Sequence, residues 1–125
     1  MENKKNSLLI FDNDAMLAVG NGTYKIDSMS IEEARSIIEV FADVGVCCCY
    51  SDRTIDRVLT DYLHIDIKKF EYDEIFHMEP GQSAIVFKRY ITPSETQPVI
   101  KTNEGVEAKK IQNVYVYCEY INKLT

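Results

Sequence analysis

Two apolar runs constrain this chain more than any other feature. Leu8-Leu9-Ile10-Phe11 stops at Asp12-Asn13-Asp14, and Val44 to Tyr50, apolar apart from Gly45, stops at Ser51-Asp52. Side chains alternate between the two faces of a β-strand, so a run with no polar residue must be covered on both sides. Each run therefore reads as a buried strand ending in a polar turn. Such strands need partners in a sheet and helices or loops packed over them.

The second run contains Cys47, Cys48 and Cys49; the fourth cysteine, Cys118, stands far along the chain. Adjacent residues of a strand point apart, so the triplet cannot close a disulfide on itself. Zinc sites use cysteine pairs two to four residues apart with a second pair elsewhere, and that second pair is missing. Neither His64 nor His77 stands at ligand spacing from a cysteine. The triplet reads as reduced thiols packed as small hydrophobes, with no metal expected.

Helical signals flank the second strand. Ser30-Ile31-Glu32-Glu33 is a capping box, and Ile31, Ala34, Ile37, Ile38 and Phe41 follow at helical spacing to about residue 42. After the strand, Ser51 or Asp52 caps a second helix with Ile55, Val58, Leu59, Tyr62 and Leu63 on one face. His64 then marks a helix end. Thr23 to Ile26 reads as a short extended piece. Residues 65–76 partly alternate, and after the Glu79-Pro80-Gly81-Gln82 turn, Ser83 to Ile91 reads as the return strand of a hairpin. Residues 101–110 are polar with room for one helical turn, and Val114 to Ile121 is the last strand. The expected fold is α/β or α+β, a single mixed β-sheet flanked by helices, with residues 1–125 as one domain.

Charge narrows the functional classes. A net charge of −6 opposes binding to long nucleic acids or to an anionic membrane surface. No apolar run approaches the roughly 20 residues of a membrane span, and the start of the chain does not read as a signal peptide. A small ligand in a local pocket is compatible with that charge. In open α/β sheets such ligands gather beyond the carboxyl ends of strands. Two places qualify: the turn at Asn13, Asp14 and Ala15, and the strand-to-helix junction at Ser51, Asp52 and Thr54. Ser51 and Asp52 also serve as plain helix caps. An anion at the junction needs a cation from elsewhere, since Asp52 repels it; Arg53, Lys69, Lys88 and Arg89 are the candidates. Lys68-Lys69 and Lys88-Arg89 fall on segments expected to pair, which would bring the two basic pairs together.

These segments carry a resemblance. The Asn-containing turn after the first strand, Gly22-Thr23-Tyr24-Lys25, Ser30-Ile31-Glu32-Glu33-Ala34-Arg35, the buried strand running into a helix, and Pro80-Gly81-Gln82-Ser83-Ala84-Ile85-Val86-Phe87 are similar to the viral ring-nuclease family over roughly residues 7–100. That family consists of small homodimeric anti-CRISPR proteins that bind cyclic oligoadenylate messengers. Its Ser-Ala-Ile-Gly-His motif, whose histidine is the general acid, falls on Cys48-Cys49-Tyr50-Ser51-Asp52. Asp52 thus stands at the position of the catalytic histidine. The family's next arginine falls on Lys69, its later arginine is matched only if Arg89 substitutes, and its ligand loop falls on Asn13, Asp14 and Ala15.

An ionised carboxylate at Asp52 cannot donate a proton at neutral pH, and loss of a general acid typically costs about 10²–10⁴-fold in rate. The resemblance therefore implies a phage-type anti-defence protein, not an enzyme, that sequesters a nucleotide second messenger of the cyclic oligonucleotide or cyclic ADP-ribose type. It implies no cofactor, a homodimer or assembly of dimers, and action in the host cytoplasm. The alternatives are a ring nuclease with an altered catalytic residue and a protein–protein interaction module.

Overall fold

The computed structural model describes residues 7–12, 22–50, 54–73, 78–90, 99–101, 107–111 and 114–125. Its strands are β1 (Leu8–Phe11), β2 (Tyr24–Met29), β3 (Val46–Cys48), β4 (Glu71–Tyr72), β5 (Ser83–Tyr90), β6 (Val99–Lys101), β7 (Glu107–Ile111) and β8 (Val114–Lys123). Helix α1 is Ile31–Phe41, and α2 is Thr54–Arg57, which widens into a π-helical stretch over Val58–Tyr62. The eight strands form one sheet in the order β4-β3-β1-β5-β8-β7-β6, with β2 also paired to β8. β4, β3, β1 and β5 are mutually parallel, while β8 runs antiparallel to β5, β7 and β2. The fold is a mixed sheet with helices, an α+β architecture.

The two apolar runs sit as their patterns require. β1 lies between β3 and β5, with Leu8 and Ile10 on one face and Leu9 and Phe11 on the other. The cysteines split the same way: Cys48 faces the cluster that includes Ile31, Ala34 and Ile38 of α1, and Cys47 faces the opposite cluster around Met78. None of the four cysteines is in a disulfide. Both described helices pack on the Cys48 face, through Ile38 from α1 and through Ile55, Val58 and Leu59 from the second helical segment.

Local chemistry explains the element ends. The Ser30 hydroxyl accepts from the Glu33 N–H at 3.1 Å, and the Glu33 carboxyl accepts from the Ser30 N–H at 3.1 Å, closing the capping box. Gly45 ends the turn after α1 with φ +143°, donates to the Phe41 carbonyl at 2.8 Å and accepts from the Leu8 N–H at 3.0 Å. A Cβ at Gly45 would stand 2.7 Å from the Ser7 hydroxyl oxygen, so glycine serves both the left-handed backbone and the close approach. His64, with φ +56°, occupies the left-handed position that ends the second helical segment, and the Ile65 N–H reaches back to the Leu59 carbonyl at 2.8 Å.

Several expectations need correction. The turn before β5 exists, with the Gln82 N–H donating to the Glu79 carbonyl at 3.0 Å. It does not join a hairpin, because β5 pairs with β1 and β8 whereas β4 pairs in parallel with β3. Of residues 65–76, only Glu71–Tyr72 is a described strand. Within residues 101–110, the chain forms β7 where one helical turn was expected. The second helical segment is α-helical for four residues only before it widens.

Candidate functional site

The parallel half of the sheet brings four carboxyl ends to one edge. Ile10 is level with Cys48 on one side and Ile85 on the other, and Cys48 is level with Tyr72. From β1 the chain moves outward to β3 and then β4, and β5 returns to the opposite flank of β1. The order therefore reverses at β1, and a crevice at such a reversal is the usual ligand position in open sheets. Asp12, buried, follows β1 at this edge. The Cys49 N–H donates to the Ile10 carbonyl at 2.8 Å, so the chain leaving β3 stays beside the chain leaving β1.

A polar cluster sits beside that exit. The Tyr50 and Tyr72 hydroxyls both donate to the same oxygen of Asp56, the second at 2.7 Å. The two rings meet edge to face, with centroids 6.0 Å apart and planes at 83°. Tyr50 lies two residues beyond β3, Asp56 is in the first turn of α2 and Tyr72 is in β4, so the cluster ties three parts of the fold together. Burial, and then the hydrogen bond to Asp56, hold the Tyr50 phenol protonated far above its ordinary range. The same two causes, burial first, raise Tyr72. Burial likewise pushes the Cys118 thiol up.

These shifts predict an alkaline limit on stability. A group whose folded pKa is raised contributes stability below its unfolded pKa, and that contribution is lost as pH rises toward the folded value. The ordinary values are 9.0 for Cys118 and 10.0 for Tyr50, so stability is expected to fall as pH climbs beyond that range. Ultraviolet titration should find Tyr50 and Tyr72 ionising above the ordinary range of a phenol, Tyr50 only on unfolding. A Tyr50 that ionises near the ordinary 10.0 in the folded protein would refute this.

The expected site residues divide. Asn13, Asp14, Ala15, Ser51, Asp52 and Arg53 lie outside the described residues, as does His77. Their described neighbours, Asp12 and Tyr50, follow β1 and β3 at the carboxyl edge. Thr54 opens α2. Arg89 lies in β5 opposite Val116, three residues beyond the level of Phe11 and thus at the same edge. Lys88 is ion-paired with Glu119 at 2.8 Å, and that contact already balances its charge. Lys69 precedes β4, on the amino side of the sheet and exposed. The two basic pairs are not brought together, because β3 and β1 separate β4 from β5. Asp56 and Tyr72 went unread: each looks like an ordinary polar position of its element, and only the parallel β3–β4 pairing makes them meet Tyr50.

Fold and edge together define an α+β protein whose mixed sheet opens its parallel half onto one end. No family model matches the chain, and no curated protein matches its sequence. Among solved structures the chain is similar to B116 of Sulfolobus turreted icosahedral virus, with a TM-score of 0.59 and 11% identity, covering 92% of this chain and 98% of that one. At this identity the likeness is one of fold alone. Among the described residues no helix is long and apolar enough to cross a membrane, and no group of three or more His, Cys, Asp or Glu is placed to hold a metal ion.

Proposed function

We propose that this protein binds a nucleotide second messenger of the cyclic oligonucleotide or cyclic ADP-ribose type at the carboxyl edge of its parallel strands and holds it uncleaved. The role is that of a phage-type anti-defence protein acting in the host cytoplasm, as a homodimer or an assembly of dimers. The observation that carries the reading is the pairing of Ile10 with Cys48. It sets side by side the two strand ends that lead to Asn13-Asp14-Ala15 and to Ser51-Asp52, the segments assigned to the ligand by sequence resemblance. The shared fold with a viral protein supports the setting. Asp52 at the position of the general acid supports capture over cleavage.

The test is to incubate the purified chain with a panel of cyclic messengers, heat the complex and identify what is released by mass spectrometry. Intact ligand is expected. Arg89→Ala is expected to weaken binding by about 10–150-fold, the worth of one hydrogen bond to a charged group. Lys69→Ala, on the far side of the sheet, should change it little. Multiple-turnover cleavage would replace this reading with that of an enzyme, and Asp52→His is the variant to compare. Failure to bind any messenger would leave an interaction module.

A further inference from the structure

β2 forms an edge of the sheet whose sequence is complementary to itself. Among the described residues its strand partner is β8 alone. The Thr23 carbonyl accepts from the Leu124 N–H at 2.7 Å, and the Thr23 N–H donates to the Thr125 hydroxyl at 3.2 Å. In an antiparallel ladder, residues that bond to a given neighbour alternate with residues whose N–H and C=O point the other way. Thr23, Lys25 and Asp27 thus turn their backbone groups toward β8, whereas Ile26 and Ser28 turn theirs outward. Lys25, Ile26, Asp27 and Ser28 are all exposed, and Ile26 is a large apolar side chain left 45% exposed.

We infer that β2 pairs antiparallel with β2 of a second copy of this chain about a two-fold axis at Ile26. Only a register centred on an outward-facing residue lets both strands exchange backbone bonds at the axis, and Ile26 meets that condition. In this register Ile26 stands opposite Ile26 of the partner subunit, and the two exchange both N–H···O bonds. Lys25 stands opposite the partner's Asp27, and Asp27 opposite the partner's Lys25. Those are non-hydrogen-bonded positions, where side chains approach closest and opposite charges are favourable. Lys25 and Asp27 already lie 3.9 Å apart within one chain, so the pairing makes a four-charge array of alternating sign. Shifting the centre to Lys25 or Asp27 would set like charges face to face and turn inward-bonded residues to the seam.

The contact leaves the candidate site open. Ile26 is level with Ile121 and, through it, with Ala84, at the amino side of the parallel strands. It therefore joins two chains away from the edge where the messenger is proposed to bind, and does not depend on that reading. An interface confined to one six-residue strand belongs to the small class below about 1,200 Å², so the association is weak and concentration-dependent.

Sedimentation equilibrium of the full chain from micromolar to millimolar concentration tests this, with far-ultraviolet circular dichroism as the fold control. Ile26→Pro removes an N–H that β8 does not use, a position where an edge strand tolerates proline. The folded variant is expected to associate at least tenfold more weakly. Lys25→Asp and Asp27→Lys should each weaken self-association, yet the two mixed together should form a heterodimer. The double swap Lys25→Asp with Asp27→Lys should restore it. If another surface also holds dimers, the step lost is that from dimer to tetramer. A chain monomeric through the millimolar range, or variants that associate as the unmodified chain does, would overturn the inference.

Discussion

Phe87→Ala is expected to lower the unfolding free energy by about 3–5 kcal/mol, the usual cost of emptying a buried aromatic site. Phe87 lies in the middle of β5, has no exposed surface and stands opposite Cys118 of β8. Its ring packs in the cluster that joins the sheet to α1 and the second helical segment. β5 is held by β1 on one side and β8 on the other, so the backbone cannot move in to close the gap. For a chain of this size the loss corresponds to a Tm lowered by roughly 10–20 °C. Phe87→Leu, which keeps most of the volume, should cost well under half as much. A loss below about 1 kcal/mol for the alanine variant would mean that the site collapses and that β5 is not the rigid centre described.

Asp56→Ala is the second large effect, at about 2–3 kcal/mol, because it removes the acceptor on which two phenols converge. The loss falls mainly on Tyr50, which is buried and has no water to turn to; the Tyr72 hydroxyl is reached by solvent. Asp56→Asn keeps an acceptor oxygen and should recover part of the stability. Tyr72→Phe should cost little. Combining Asp56→Ala with Tyr50→Phe should be less than additive, since the donor left stranded by the first change is absent in the second. Chemical denaturation of these four variants and of Tyr50→Phe measures this, and strict additivity would show that the hydroxyl and carboxyl do not share one bond.

What could be read in advance followed from how local each signal is. Leu8–Phe11 and the cysteine run announced buried strands because their composition admits nothing else, and Ser30 with Glu33 announced α1 because a capping box lies within four residues. Strand pairing is a different matter. The Pro80-Gly81 turn was legible, but which strand lies beside β5 is decided by β1 and β8, far away in sequence. β7 was hidden because Glu107, Lys109 and Lys110 are polar, and Ala108, though fully buried, is too small to announce a strand. At the candidate site, a hairpin after the Pro80-Gly81 turn would make Lys69 and Arg89 neighbours, but β3 and β1 lie between β4 and β5, and no spacing rule links the members of the Tyr50–Asp56–Tyr72 cluster.

β8 is bonded to β5, β2 and β7, and it is the last described strand of the chain. During synthesis, β2 leaves the ribosome some 90 residues ahead of its partner, judging from Tyr24 and Val114. At ordinary rates of elongation that is a wait of roughly ten seconds, during which a strand carrying Ile26 and its bonding groups is without β8. β1, α1 and β3 can assemble meanwhile, but half of the sheet closes only when β8 arrives. The ladders that β8 makes with β5, β2 and β7 therefore form only after residues 114–123 have been synthesised, however early the strands they join were made.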